Sequence, residues 1–92
     1  MQLVNIRVTG VVQGVFFRVS TQNKATELGI SGWVRNCNDG SVEALFQGSV
    51  DQINAMLEWC SKGPEGAQVD HVQIITKKDC TNPQEGFTIL HE

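Results

Sequence analysis

Along residues 3 to 9, Val4, Ile6 and Val8 alternate with Asn5, Arg7 and Thr9. That period of two marks a strand with one buried and one wet face. From Gly10 to Gly14 the alternation stops, and a loop is expected. Phe17, Thr21, Ala25 and Leu28 then recur at helical spacing until Gly29 offers a C-terminal stop, which predicts a first helix over roughly residues 18 to 28. The runs Gly32 to Asn36 and Ser41 to Phe46 flank Cys37-Asn38-Asp39-Gly40, and Asp-Gly between two such runs predicts an antiparallel hairpin. Ser49 followed by Gln52 has the pattern of a capping box. It opens a second apolar stripe of Ile53, Met56, Leu57 and Cys60 that closes at Lys62-Gly63-Pro64. Val69 to Thr76 is β-branched enough for a fourth strand, and Phe87 and Ile89 around Thr88 predict a short fifth beyond a loop at Asn82-Pro83.

The resulting order, β-α-β-β-α-β plus a short final strand, is that of an α+β ferredoxin-like plait. Such a plait has an antiparallel sheet of four to five strands with two helices on one face, joined by right-handed crossovers. With 92 residues, the chain is expected to be a single domain over 1–92. The plait serves RNA binders, metal carriers, ligand sensors and enzymes alike, so function has to come from a site.

Charge narrows the classes. Seven basic against ten acidic side chains give a net charge of -3, the wrong sign for general binding to nucleic acid or anionic membrane. Strands 1 and 3 also lack the paired aromatics of an RNA-binding sheet. No apolar run approaches the ~18 residues of a membrane span, and no export leader follows Met1. The three cysteines, Cys37, Cys60 and Cys80, cannot all pair within one chain and have neither CxxC nor zinc-ligand spacing. A cytoplasmic monomer is expected.

Most familiar catalytic groups find no context. His71 lies within strand 4 and His91 near the end of the chain, neither beside a serine or cysteine in a triad-like arrangement, and both read as surface residues. Asp39 is accounted for by turn chemistry and Glu43 by an outward strand position. The unusual segment is residues 10 to 18, GVVQGVFFR, which enters a helix without the Ser, Asp or Asn that normally caps one. Backbone amides bent at Gly14 could form a concave nest, and the helix start adds a positive dipole end. Arg18 opposes that dipole, where an acidic side chain would be favoured. A bound anion would resolve both oddities; a plain turn at Gly14 and a solvated Arg18 would also account for the loop. A plait crossover makes strands 1 and 2 parallel, which brings Asn36 to the same sheet end as this loop, although Asn36 also reads as a turn-starting residue.

Both stretches resemble the two signature motifs of the acylphosphatase family. The pattern G-x-V-Q-G-V-x-F-R is met by Gly10, Val12, Gln13, Gly14, Val15, Phe17 and Arg18. The pattern G-[FYW]-[AV]-x-N-x-x-D-G-x-V-E is met by Gly32, Trp33, Val34, Asn36, Asp39, Gly40, Val42 and Glu43. Family-like residues continue to Phe87 and Ile89, so the likeness spans nearly the whole chain. Cys37 stands where Thr, Leu or Arg would be more typical. The resemblance implies hydrolysis of acyl phosphates, the class of acetyl phosphate, carbamoyl phosphate and 1,3-bisphosphoglycerate, with no metal or organic cofactor. It also implies Arg18 and Asn36 as catalytic residues. Gln13, Gly14, Val15, Phe16, Phe17 and Arg18 would form the phosphate-binding loop, with Asn36 orienting the water. A non-catalytic regulatory domain that binds an anionic metabolite on the same fold is the alternative. Similar domains also begin larger carbamoyl-transferring factors, against which the short chain favours a free-standing enzyme.

Overall fold

In a computed structural model, residues 1–81 and 85–91 are described. The strands are β1 (Gln2–Val11), β2 (Ser31–Asn36), β3 (Val42–Gly48), β4 (Gln68–Asp79) and β5 (Phe87–Leu90), with helices α1 (Phe17–Leu28) and α2 (Val50–Lys62). The sheet order is β4-β1-β3-β2-β5. Because β3 lies between β1 and β2 and is antiparallel to both, β1 and β2 run in the same direction and finish at the same end of the sheet. β4 pairs antiparallel with the outer edge of β1. β5 pairs parallel with β2. The sheet is therefore mixed rather than wholly antiparallel: after β4 the chain reverses, and the reversed direction at the far edge is that of β2. The loop expected at Asn82-Pro83 lies outside the described residues.

The alternation in β1 is realised as expected, with Val4, Ile6 and Val8 fully buried. Val34 of β2 and Val42, Ala44 and Phe46 of β3 share that face, and the helices close over it with Phe17, Thr21 and Ala25 from α1 and Ile53, Met56 and Cys60 from α2. One ring contact reinforces each layer. Phe17 meets Trp59 at 5.8 Å between helices, and Phe46 stacks on Phe87 at 5.8 Å. Thr21 stays satisfied in the core by donating its hydroxyl to the carbonyl of Phe17 at 2.7 Å.

The second helix begins as its capping box requires. Gln52 N–H donates to Ser49 Oγ (3.2 Å), and Ser49 N–H donates to Gln52 Oε1 (2.8 Å). Gln52 also donates through Nε2 to the carbonyl of Leu28, which seats α2 against the end of α1. Gly32 permits the closest approach in the sheet, since a Cβ there would lie 1.8 Å from the carbonyl oxygen of Leu45.

Candidate active site

β1 continues to Val11, two residues past the expected end, and buried Val12 anchors the chain as it leaves the sheet. The true loop is thus short. Gly14 has φ 75°, and Phe16, the N-cap of α1, has φ 60°, a left-handed conformation that costs a non-glycine residue energy. Among the described residues no side chain caps this helix, and its first turn contains no acidic residue. The first amide satisfied within it is Ser20 N–H, donating to Phe16 O at 2.9 Å. The amides ahead of it remain as donors at a positive dipole end. Phe17 is 2% exposed and locked against Trp59, so the helix start is pinned to the core and the direction of Arg18 is set by its neighbour. Arg18 is half-buried and makes no ion pair or side-chain hydrogen bond among the described residues.

Asn36 comes to this loop through strand register. Val42 pairs with Val8 of β1 on one side and with Asn36 of β2 on the other, so the three residues form one row across the sheet. Asn36 follows Gly32 and Val34 at steps of two and therefore shares their helix-covered face. Its Oδ1 is buried and has no hydrogen-bond partner among the described residues. The turn beyond it is braced. Cys37 N–H donates to Ser41 O (2.8 Å), Gly40 N–H donates to Cys37 O (3.2 Å), and the Asp39 carboxylate accepts from Ser41 N–H (3.0 Å) and from its hydroxyl. Those two bonds from Ser41 hold the Asp39 carboxyl below its ordinary pKa of 3.8.

Gln13 spans the gap between the two motifs. Its Nε2 donates to Cys37 O and to Ser41 O, each at 2.8 Å. The side chain expected in the anion-binding loop is thus turned onto the hairpin.

A cavity of about 470 Å³ is lined by Gln13, Arg18, Asn36, Cys37, Asn38, Leu90 and His91. A neighbouring one of about 310 Å³ is lined by Val12, Gly14, Phe16, Phe17, Arg18, Val19 and Asn36. Arg18 and Asn36 face both. Of the expected loop residues, Val15 lines neither and instead packs part-buried against the core. His91, expected as an ordinary surface residue, is exposed but lines the larger cavity. Parallel pairing sets Leu90 beside Arg35, which brings the next residue of the chain level with Asn36. No local sequence signal marks that placement. Arg35 itself turns to the uncovered face and pairs with Glu43, which also accepts from Asn5.

Fold and site together define a small α+β plait domain with a cationic side chain, orphan helix amides and a buried polar acceptor converging at the shared end of β1 and β2. The acylphosphatase family model matches residues 4–89. An acylphosphatase of Roseiflexus sp. is 43% identical over 98% of this chain and 96% of its own. The crystal structure of acylphosphatase from Bacillus subtilis superposes with a TM-score of 0.93 at 31% identity, covering 99% of this chain and 100% of that one. An acylphosphatase structure from Coxiella burnetii gives 0.84 at 37% identity over 97% and 92%. The chain belongs to the acylphosphatase family.

Proposed function

We propose that the chain hydrolyses the carboxyl–phosphate anhydride of small acyl phosphates, with Arg18 and the amides of the 13–18 loop binding the phosphoryl group and Asn36 holding the attacking water. The observation that carries this reading is the pairing, at one cavity wall, of an Arg18 without a carboxylate partner and an Asn36 Oδ1 buried without a donor, both among the described residues. The first is available to an anion, and the second can accept a hydrogen from water.

Phosphoryl transfer needs chiefly positioning and charge stabilisation. The Arg18 fork and the fixed N–H donors ahead of Ser20 supply both, in a setting where orphan amides require no reorganisation at the moment of reaction. Water bound to Asn36 Oδ1 is oriented with its oxygen toward phosphorus. As its O–P bond forms, the bond from phosphorus to the bridging oxygen breaks, and the electron pair leaves on the carboxylate. That leaving group is a weak base and needs no proton. Asn36 cannot take the water's proton at neutral pH, so it passes to a phosphate oxygen of the substrate. The products are carboxylate and inorganic phosphate.

A monomeric domain in the cytoplasm is part of the same proposal. Among the described residues no helix is long and apolar enough to cross a membrane. The decisive experiment is phosphate release across acetyl, carbamoyl and benzoyl phosphates, with ATP and p-nitrophenyl phosphate as controls. Turnover confined to the acyl phosphates is expected. Tight binding of these compounds without turnover would establish the regulatory alternative instead.

A further inference from the structure

The two halves of the site are carried by different parts of the chain, the loop ahead of α1 and the end of β2, and one side chain joins them. Gln13 Nε2 donates to Cys37 O and Ser41 O at 2.8 Å each, across 24 and 28 positions of sequence. Carbonyl oxygens only accept, so the amide nitrogen must face them and both of its hydrogens are committed. The remaining Oε1 is an acceptor and has nothing to offer a phosphate oxygen. Gln13 lies against the cavity, yet its donors are spent on the hairpin.

The gripped carbonyls are not arbitrary. Cys37 follows Asn36, and Ser41 precedes Val42, the cross-strand partner of Asn36. Each carbonyl also accepts from the turn itself, Cys37 O from Gly40 N–H and Ser41 O from Cys37 N–H. The turn therefore keeps its own bonds without Gln13; among the described residues, Gln13 makes the side-chain hydrogen bonds that join loop to turn. On the other side, Gln13 directly precedes Gly14 at φ 75° and lies three residues before Phe16 at φ 60°, in a segment that no capping side chain restrains.

We infer that Gln13 is a positioning residue: it sets the distance from the anion cradle to Asn36 and thereby aligns the water with the phosphorus. The inference rests on the roles proposed for Arg18 and Asn36. Because a misplacement of about 1 Å can cost on the order of a hundredfold in rate, loss of the strut should lower kcat by roughly tenfold to a hundredfold. Competitive inhibition by inorganic phosphate, which needs only the cradle and Arg18, should change by less than about threefold.

The test is Gln13→Glu, which keeps the shape but presents acceptors to two carbonyls, assayed with acetyl phosphate beside the parent enzyme. Those carbonyls push its carboxyl toward protonation, Arg18 on the same cavity acts in the opposite direction, and the protonated form regains one O–H donor. Activity relative to the parent at the same pH should therefore rise as pH falls from about 8 to about 5, a recovery that a purely structural role would not give. Gln13→Met, neutral and of similar length, should show the same loss without the recovery. In an Asn36→Ala background, Gln13→Glu should cost less than about twofold more, since the water it aligns is no longer held.

Weakened phosphate inhibition in step with kcat in Gln13→Met, which adds no charge beside the cradle, would make Gln13 a ligand and overturn the inference. An unchanged kcat with a lowered Tm would overturn it too. If folded Asn36→Ala kept full activity, the proposed site itself would fall; an impaired Asn36→Ala beside an unimpaired Gln13→Met would remove only the strut.

Discussion

Replacing Arg18 should separate function from stability. Arg18 is half-buried at the first turn of α1 and has no ion pair or side-chain hydrogen bond among the described residues. With a phosphoryl group in place, it can make two charge-assisted hydrogen bonds. At about 1.5–3 kcal/mol each these give about 3–6 kcal/mol, or on the order of 10² to 10⁴ in kcat/KM. The fold should not suffer. A cation at a helix N-terminus opposes the macrodipole by about 0.3–1 kcal/mol, which offsets the lost packing of the stem, so Arg18→Ala should keep its stability within about 0.5 kcal/mol. Arg18→Lys restores the charge but not the planar fork and should recover only a small part of the rate. The assay is acetyl phosphate hydrolysis with inorganic phosphate as competitor, read beside a urea unfolding curve. A folded Arg18→Ala within about tenfold of the parent rate would refute the reasoning.

Three further outcomes are expected. Asn36→Ala should lower kcat by about 10²–10³ while leaving phosphate inhibition nearly unchanged, because the lost contact is to water rather than to the anion. Asp39 has its pKa lowered by the Ser41 bonds, so its contribution to stability is complete above 3.8 and is lost as pH falls through the lowered value. The Tm difference between Asp39→Asn and the parent should accordingly hold steady above about pH 5 and shrink below the ordinary value in an acid thermal-melt series. Burial pushes the Cys60 thiol up to about 12, so at pH 8 only about one molecule in ten thousand carries its thiolate. Iodoacetamide should therefore label half-buried Cys37 and Cys80 in the native protein and reach Cys60 only in denaturant, as read by peptide mass mapping.

Particular residues show how the fold could be read so far ahead. Val4, Ile6 and Val8 needed only a period of two, and each is fully buried. Ser49 and Gln52 are three residues apart, within reach of any helix start, and they form the expected box. Element ends were less legible. β1 overran its expected end because pairing of Gly10 and Val11 with Val69 and Gln68 carries it on past a bulge, and that partner lies nearly sixty positions away. α1 likewise begins one residue early, because Phe17 is drawn into the core.

The site divides along the same line. Arg18 against the dipole and an uncapped helix start are local facts, visible in nine consecutive residues, and the motif around Asn36 is equally local. The sequence by itself therefore determined the strand and helix order, the family resemblance and the two residues proposed for chemistry. Only the tertiary structure decided that Gln13 grips the hairpin, that Asn36 Oδ1 is buried without a partner among the described residues, and that β5 runs parallel to β2 and delivers His91 to the cavity. Periodicity records how a residue relates to neighbours two to four positions away. A hydrogen bond across 24 positions, or a strand laid along a distant edge, is chosen by packing of the whole chain.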